Sequence, residues 1–117
     1  MKRITPEGSV KKVCMDWLAL QPDVWVWRQN TGAVAMPGAS RSRFIRFGVP
    51  GAADITGVHK PTGRRIEIEV KAPGKKPTED QAEFLERMLE HGAIAFYADS
   101  LEMLIEKFAD ARLEFGP

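Results

Sequence analysis

The stretch ADITGVHKPTGRRIEIEVK, Ala53 to Lys71, decides the fold. Its middle, Lys60-Pro61-Thr62-Gly63, has the composition of a tight turn, with proline supplying a fixed φ and glycine free to turn back. After the turn apolar and ionisable residues alternate. A strand there sends Ile66, Ile68 and Val70 to one face and Glu67, Glu69 and Lys71 to the other. Before the turn a short strand runs from about Asp54 to Val58, and the two make a β-hairpin. Asp54 stands six residues before Lys60 and Glu69 six after Gly63, so antiparallel pairing brings these carboxylates together. Lys71 lies on the same face as Glu69, roughly 6–7 Å further along. Glu67, nearer the turn, is expected to be solvated.

The flanking sequence supplies the rest of an α/β domain. Thr5-Pro6 starts a helix, with Thr5 as N-cap and Pro6 where its missing N–H costs nothing. Val10, Val13, Cys14, Trp17 and Leu18 form its apolar stripe to about Leu20, and Glu7 falls at the N-terminal end of that stripe. VWVWRQ, Val24 to Gln29, predicts a strand. Asn30 to Ser42 is a long Gly/Ala/Ser/Pro loop with room for a short strand near Ala33–Met36, and long loops in compact domains are often functional. Thr78 opens a second helix with Gln81 at the capping-box position and Ala82, Leu85, Met88 and Leu89 as its stripe, ending at Gly92. Ala93 to Ala98 is a buried strand that follows a helical crossover and should pair parallel to the Glu69 strand. Asp99 or Ser100 caps a last helix carrying Leu101, Leu104, Ile105 and Phe108. The expected order is α-β-β-β-α-β-α, a mixed sheet flanked by helices in a single domain over residues 1–117.

Composition narrows the possible chemistry. A chain of 117 residues, 44 % apolar and 28 % charged, has the make-up of an ordinary globular domain. No run approaches the ~18 apolar residues of a membrane span, and no signal-peptide core is evident, so a cytoplasmic address is expected. A single cysteine, Cys14, excludes an internal disulfide and a cysteine-rich zinc site, and His59 and His91 stand apart. Net charge is only +1, yet residues 1–76 hold 14 Lys/Arg against 6 Asp/Glu, while residues 77–117 hold 3 against 10. That asymmetry predicts a basic surface, or else acidic helices that solvate one side.

Two converging carboxylates plus a backbone carbonyl, such as that of Val70, make a hard oxygen site suited to Mg²⁺ or Mn²⁺. Such an ion polarises a phosphoryl oxygen and acidifies water, and Lys71 is placed to position that water or to neutralise developing charge. The chemistry implied is metal-assisted phosphodiester hydrolysis. Each piece also has a plainer account: Asp54 as a turn cap, Gln81 as a capping-box residue, and Glu7 as favoured by the helix dipole. Arg28, Asn30, Arg41, Arg43 and Arg46 lie in or beside the long loop, where they would track DNA phosphates. Arg64, Arg65, Lys75 and Lys76 extend this basic set or serve solubility. A DNA-binding module built on Arg28–Arg46 without hydrolytic activity is the alternative. Trp17, Trp25 and Trp27 either fill the core or form an exposed patch for self-association.

RQNTGA, GVPGAADITG, IEVK and TEDQAEFLERMLEHGA, taken in that order and spacing, resemble the VRR-NUC (virus-type replication-repair nuclease) domain of the PD-(D/E)XK nuclease superfamily. The resemblance covers most of the chain and implies a restriction-endonuclease-like core and Mg²⁺- or Mn²⁺-dependent DNA cleavage. It implies Asp54, Glu69 and the Val70 carbonyl as metal ligands, Lys71 as the catalytic lysine and Glu7 as the acidic residue of the first helix. Gln81 matches the glutamine that opens the family's second core helix, near the scissile phosphate or a metal-bound water. Ala53 stands where the superfamily name places proline. Stand-alone domains of this size imply a phage or bacterial protein, a homodimer, and structured DNA such as four-way junctions as substrate.

Overall fold

The computed structural model describes residues 4–29, 32–35, 44–47 and 49–116, with the backbone alone for 32–35 and 44–47. Helix α1 (Pro6–Ala19) starts where the Thr5 hydroxyl accepts a hydrogen bond from the Gly8 amide at 3.0 Å. It buries Val10, Cys14 and Leu18, a strict i, i+4 line, and leaves Val13 exposed. The expected stripe was thus wider than the surface α1 covers. Strand β1 (Val24–Arg28) follows, then a ribbon of β2 (Gly32–Ala35) and β3 (Phe44–Phe47), paired antiparallel as a separate sheet. One short strand was expected in this region; the second comes from FIRF, whose alternation is too brief to stand out from the arginines around it.

Strands β4 (Ile55–His59) and β5 (Arg64–Val70) form the expected hairpin, and helix α2 (Glu79–Glu90) leads to β6 (Ile94–Ala98) and helix α3 (Leu101–Phe115). The main sheet has the order β1-β4-β5-β6, antiparallel except for the parallel β5–β6 pair. Parallel pairing needs a crossover, and α2 provides it. Apart from the β2–β3 ribbon, the elements run α-β-β-β-α-β-α around a mixed sheet, as expected.

One face of the sheet, carrying Val24, Ile55, Ile66, Ile68, Val70, Ile94 and Ala98, packs on Val10, Cys14 and Leu18 of α1 and Leu104 and Phe108 of α3. Phe108 is buried with its ring edge-on to Phe96 at 5.5 Å. On the other face α2 lies over β5 and β6 and buries Leu85, whereas Ala82 and Leu89 are exposed and Met88 is half-buried. Ile105 of α3 is likewise exposed. These helices touch the sheet along a narrower line than their apolar spacing suggested.

A polar clamp ties the last helix to the first strand. Arg112 donates to both Asp23 oxygens at 3.0 and 2.8 Å and to Gln21 Oε1 at 2.9 Å, tying α3 to the start of β1. Hydrogen bonding from Arg112 holds the buried Asp23 carboxyl below its ordinary range. His59, also buried, makes contacts at 2.7 Å to the Thr62 hydroxyl and 3.2 Å to the Gly116 carbonyl. Among the described residues, no helix is long and apolar enough to cross a membrane.

Candidate active site

The hairpin register pairs Ile55 with Ile68. Continuing it by one residue sets Asp54 opposite Glu69, as the symmetric spacing about the turn required. Asp54 is fixed from three sides: its backbone carbonyl accepts from the Gln29 amide at 2.7 Å, its Oδ2 accepts from the Val70 amide at 3.0 Å, and Lys11 Nζ donates to its Oδ1 at 3.2 Å. The loop before it turns at Val49–Ala52, where the Ala52 amide donates to the Val49 carbonyl at 3.0 Å. Gly51 takes φ +77°, and a Cβ there would stand 2.4 Å from the Asp80 carbonyl oxygen. The loop therefore lies directly against the first turn of α2, which ties the position of Asp54 to that of Gln81.

Gln81 forms the expected capping box and also reaches the charged side chains of Glu69 and Lys71. Its Oε1 accepts from the Thr78 amide at 2.9 Å, completing the capping box, and from Lys71 Nζ at 3.2 Å. Its Nε2 donates to Glu69 Oε1 at 3.0 Å. One amide thus bridges the carboxylate of Glu69 and the ammonium of Lys71. Lys71 is largely buried, its backbone amide donates to the Ala98 carbonyl at 2.9 Å, and Glu7 Oε1 lies 4.0 Å from its Nζ.

Glu69 is only 3 % exposed, and its Oε2 is buried without a hydrogen-bond partner. Desolvation, then the neighbouring Asp54 charge, pushes its carboxyl from 4.5 up to about 8, with Glu7 adding a little and Lys71 opposing. When both are ionised, neither Glu69 nor Asp54 offers the other a donor. A proton or a cation resolves that conflict. The orphaned Oε2 and the hard oxygen donors beside it fit Mg²⁺ or Mn²⁺. No trio of His, Cys, Asp or Glu side chains converges as a ligand group among the described residues. Asp54, Glu69 and main-chain oxygen would hold an ion here together with water, and Glu7 lies 4.0 Å from the Lys71 ammonium.

Comparison with family models, with curated proteins and with solved structures finds no match. What the site can do is therefore judged on its geometry.

Glu67 is corrected by the structure. It is 1 % exposed rather than solvated, because the sheet is covered on this face too. Thr56 Oγ1 and Arg65 Nη2 donate to its Oε1 at 2.8 and 2.7 Å. Arg28 is exposed at the end of β1 and pairs with Ile55, so its side chain leaves from the sheet face opposite Asp54 and Glu69. Arg46 falls in β3, opposite Ala33. Asn30, Arg41 and Arg43 lie outside the described residues. Lys11 is the site residue that sequence reasoning missed. Its signal is spacing: four residues after Glu7 on α1, it shares the helix face that carries the carboxylate toward the sheet.

Proposed function

We propose that the protein is a Mg²⁺- or Mn²⁺-dependent DNA endonuclease of the VRR-NUC type that cleaves phosphodiester bonds in structured DNA such as four-way junctions. The observation that carries this reading is the linked set Asp54–Glu69–Gln81–Lys71, in which a buried carboxylate oxygen lacks any donor. Glu67 on the same strand also keeps an undonated oxygen but is met by the Arg65 guanidinium, whereas Glu69 is met only by a neutral amide beside a second carboxylate, an arrangement that costs stability unless a cation is supplied.

Hydrolysis adds a water oxygen to phosphorus, breaks one P–O ester bond and leaves a proton on the departing oxygen. The ion, when bound, supplies Lewis acidity to the phosphoryl group and acidifies water. The chain's own residues do the rest. Asp54 and Glu69, set opposite each other by the hairpin register, would hold the cation. Lys71, held by Gln81 and drawn toward Glu7, keeps an ammonium beside the phosphorus centre and offsets the charge that grows there. Gln81 orients both Lys71 and Glu69 from the rigid start of α2. The excess of Lys and Arg in residues 1–76 supplies phosphate contacts. A homodimer would present two such centres to a branched substrate.

The test is incubation of the purified protein with linear, flapped and four-way-junction DNA, with Mg²⁺, Mn²⁺ or chelator. Cleavage that needs the metal and disappears in Lys71→Ala is expected. Absence of cleavage of every substrate overturns the reading, and if wild type does not cleave while binding survives Asp54→Ala and Glu69→Ala, the non-catalytic DNA-binding module is selected instead.

A further inference from the structure

Trp25 and Trp27 of the edge strand β1 are 63 % and 40 % exposed, and their ring centroids lie 5.0 Å apart. Of the two fates the sequence left open, core or surface, the structure assigns both to the surface. Their place on the sheet is given by the registers. Trp25 pairs with Val58 and Val58 with Arg65; Trp27 pairs with Thr56 and Thr56 with Glu67. The next row on the same face is Asp54 with Glu69. The tryptophans therefore stand on the face that carries the carboxylates, with Trp27 one strand and two residues from Asp54, roughly 8 Å between Cα atoms at ordinary strand spacings. Among the described elements, helix α2 lies over β5 and β6 on this face, and the indoles of the edge strand β1 stay exposed.

We infer that Trp25 and Trp27 are a stacking platform for unpaired bases of the DNA whose phosphate enters the Asp54–Glu69 centre; this rests on the cleavage reading above. A duplex keeps its bases stacked on each other, so exposed indoles gain nothing from it, whereas an unpaired strand offers π-faces of any sequence. Arg65, in the same row as Trp25 two strands away, keeps an exposed guanidinium on this face while it donates to Glu67 and Thr56. Cation and aromatic surface together fit a nucleic-acid strand better than a purely apolar partner. Such a platform would favour flapped or gapped DNA, where unpaired bases lie close to a scissile phosphate.

The test needs no cleavage. In chelator, wild type is titrated with a single-stranded oligonucleotide, an abasic strand of the same length, and a duplex, following tryptophan emission. Trp17 is half-buried 5.8 Å from Phe108, so most of the quenchable signal belongs to the exposed pair. The single strand should quench the emission and bind at least about tenfold more tightly than the abasic strand, and Trp25→Leu/Trp27→Leu should remove that advantage. Trp27→Phe, which keeps a ring, should restore part of it, and circular dichroism checks that each variant is folded. Equal affinity for base-bearing and abasic strands overturns the inference. So does a double variant that loses self-association while its preference for bases is unchanged, which would make the indoles an interface between copies. Cleavage in wild type with no base preference sinks only the platform, and base preference without metal-dependent cleavage sinks only the nuclease.

Discussion

Replacing Glu69 by Gln should stabilise the fold while removing its cation site. The carboxyl lies at about 8 in the folded chain against 4.5 ordinarily, because burial and Asp54 oppose its charge. A raised folded value means the native state holds the proton more tightly than the unfolded chain. Its favourable contribution is therefore fully present below pH 4.5, declines as the unfolded chain ionises, and is gone once the pH passes about 8. At about 1.4 kcal/mol per pH unit, wild type should lose about 3 kcal/mol relative to Glu69→Gln between the ordinary value and neutrality. The glutamine keeps an oxygen for the Gln81 amide and is neutral at every pH, so its profile lacks this decline. Urea unfolding in chelator across the acid-to-neutral range measures the difference, and even about 1 kcal/mol is resolved when the m-values agree. Saturating Mg²⁺ or Mn²⁺ should return about 2–3 kcal/mol to wild type at a hundredfold excess over its dissociation constant and nothing to the variant. Parallel pH profiles for the two proteins, or equal metal stabilisation, would refute the reasoning.

Gly51→Ala should destabilise by about 1–3 kcal/mol, measured by thermal unfolding, because φ +77° and the close Asp80 carbonyl both exclude a Cβ, and it should lower cleavage further than its stability loss explains. Lys11→Met should raise Mn²⁺ affinity several-fold by calorimetry, since Lys11 Nζ occupies an Asp54 oxygen that a cation needs; weaker binding would show that Lys11 helps to hold Asp54 in place. Cys14, buried and with its thiol pushed up to about 11 chiefly by desolvation, should react with a thiol reagent only when the chain unfolds, so its labelling rate should track denaturant. Arg112→Ala should cost about 3–5 kcal/mol and steepen inactivation at neutral pH, because it strands the buried Asp23 charge; Asp23, whose carboxyl is held low, contributes stability above its ordinary 3.8 that is lost as pH falls.

The parts of this molecule that could be read from its sequence are those fixed by local periodicity and by caps. The hairpin about Lys60–Gly63, the starts of α1 and α2 and the parallel β5–β6 pair follow from alternation, Thr5-Pro6, the Thr78–Gln81 box and the crossover rule. Misplaced features depend on what covers a surface, which no local pattern records. Val13, Ala82, Leu89 and Ile105 have the right spacing for burial and are exposed, because a helix on a sheet buries a line and not its whole apolar stripe. Lys11 does not stand out in the sequence because a lysine on an amphipathic helix is ordinarily solvent-facing, and only the position of Asp54 gives it a partner.

Glu67 and Glu69 show where sequence parity stops being informative. They are two residues apart on one strand face, both almost wholly buried, and each keeps one carboxylate oxygen without a donor. Parity therefore treats them alike, and their distance from the turn suggested that the nearer one was wet. Their neighbours separate them. Glu67 is met by the Arg65 guanidinium at 2.7 Å and the Thr56 hydroxyl at 2.8 Å, so its charge is balanced within the protein. Glu69 receives only a neutral amide and faces a second carboxylate, while the nearest ammonium donates to Gln81 rather than to it. A buried negative charge left in that condition is stable only with something positive supplied from outside. If that supply is a divalent ion, Arg65→Met should leave metal affinity nearly unchanged while destabilising the fold through Glu67, whereas Gln81→Leu should alter metal affinity and also cost about 1 kcal/mol through the lost capping box.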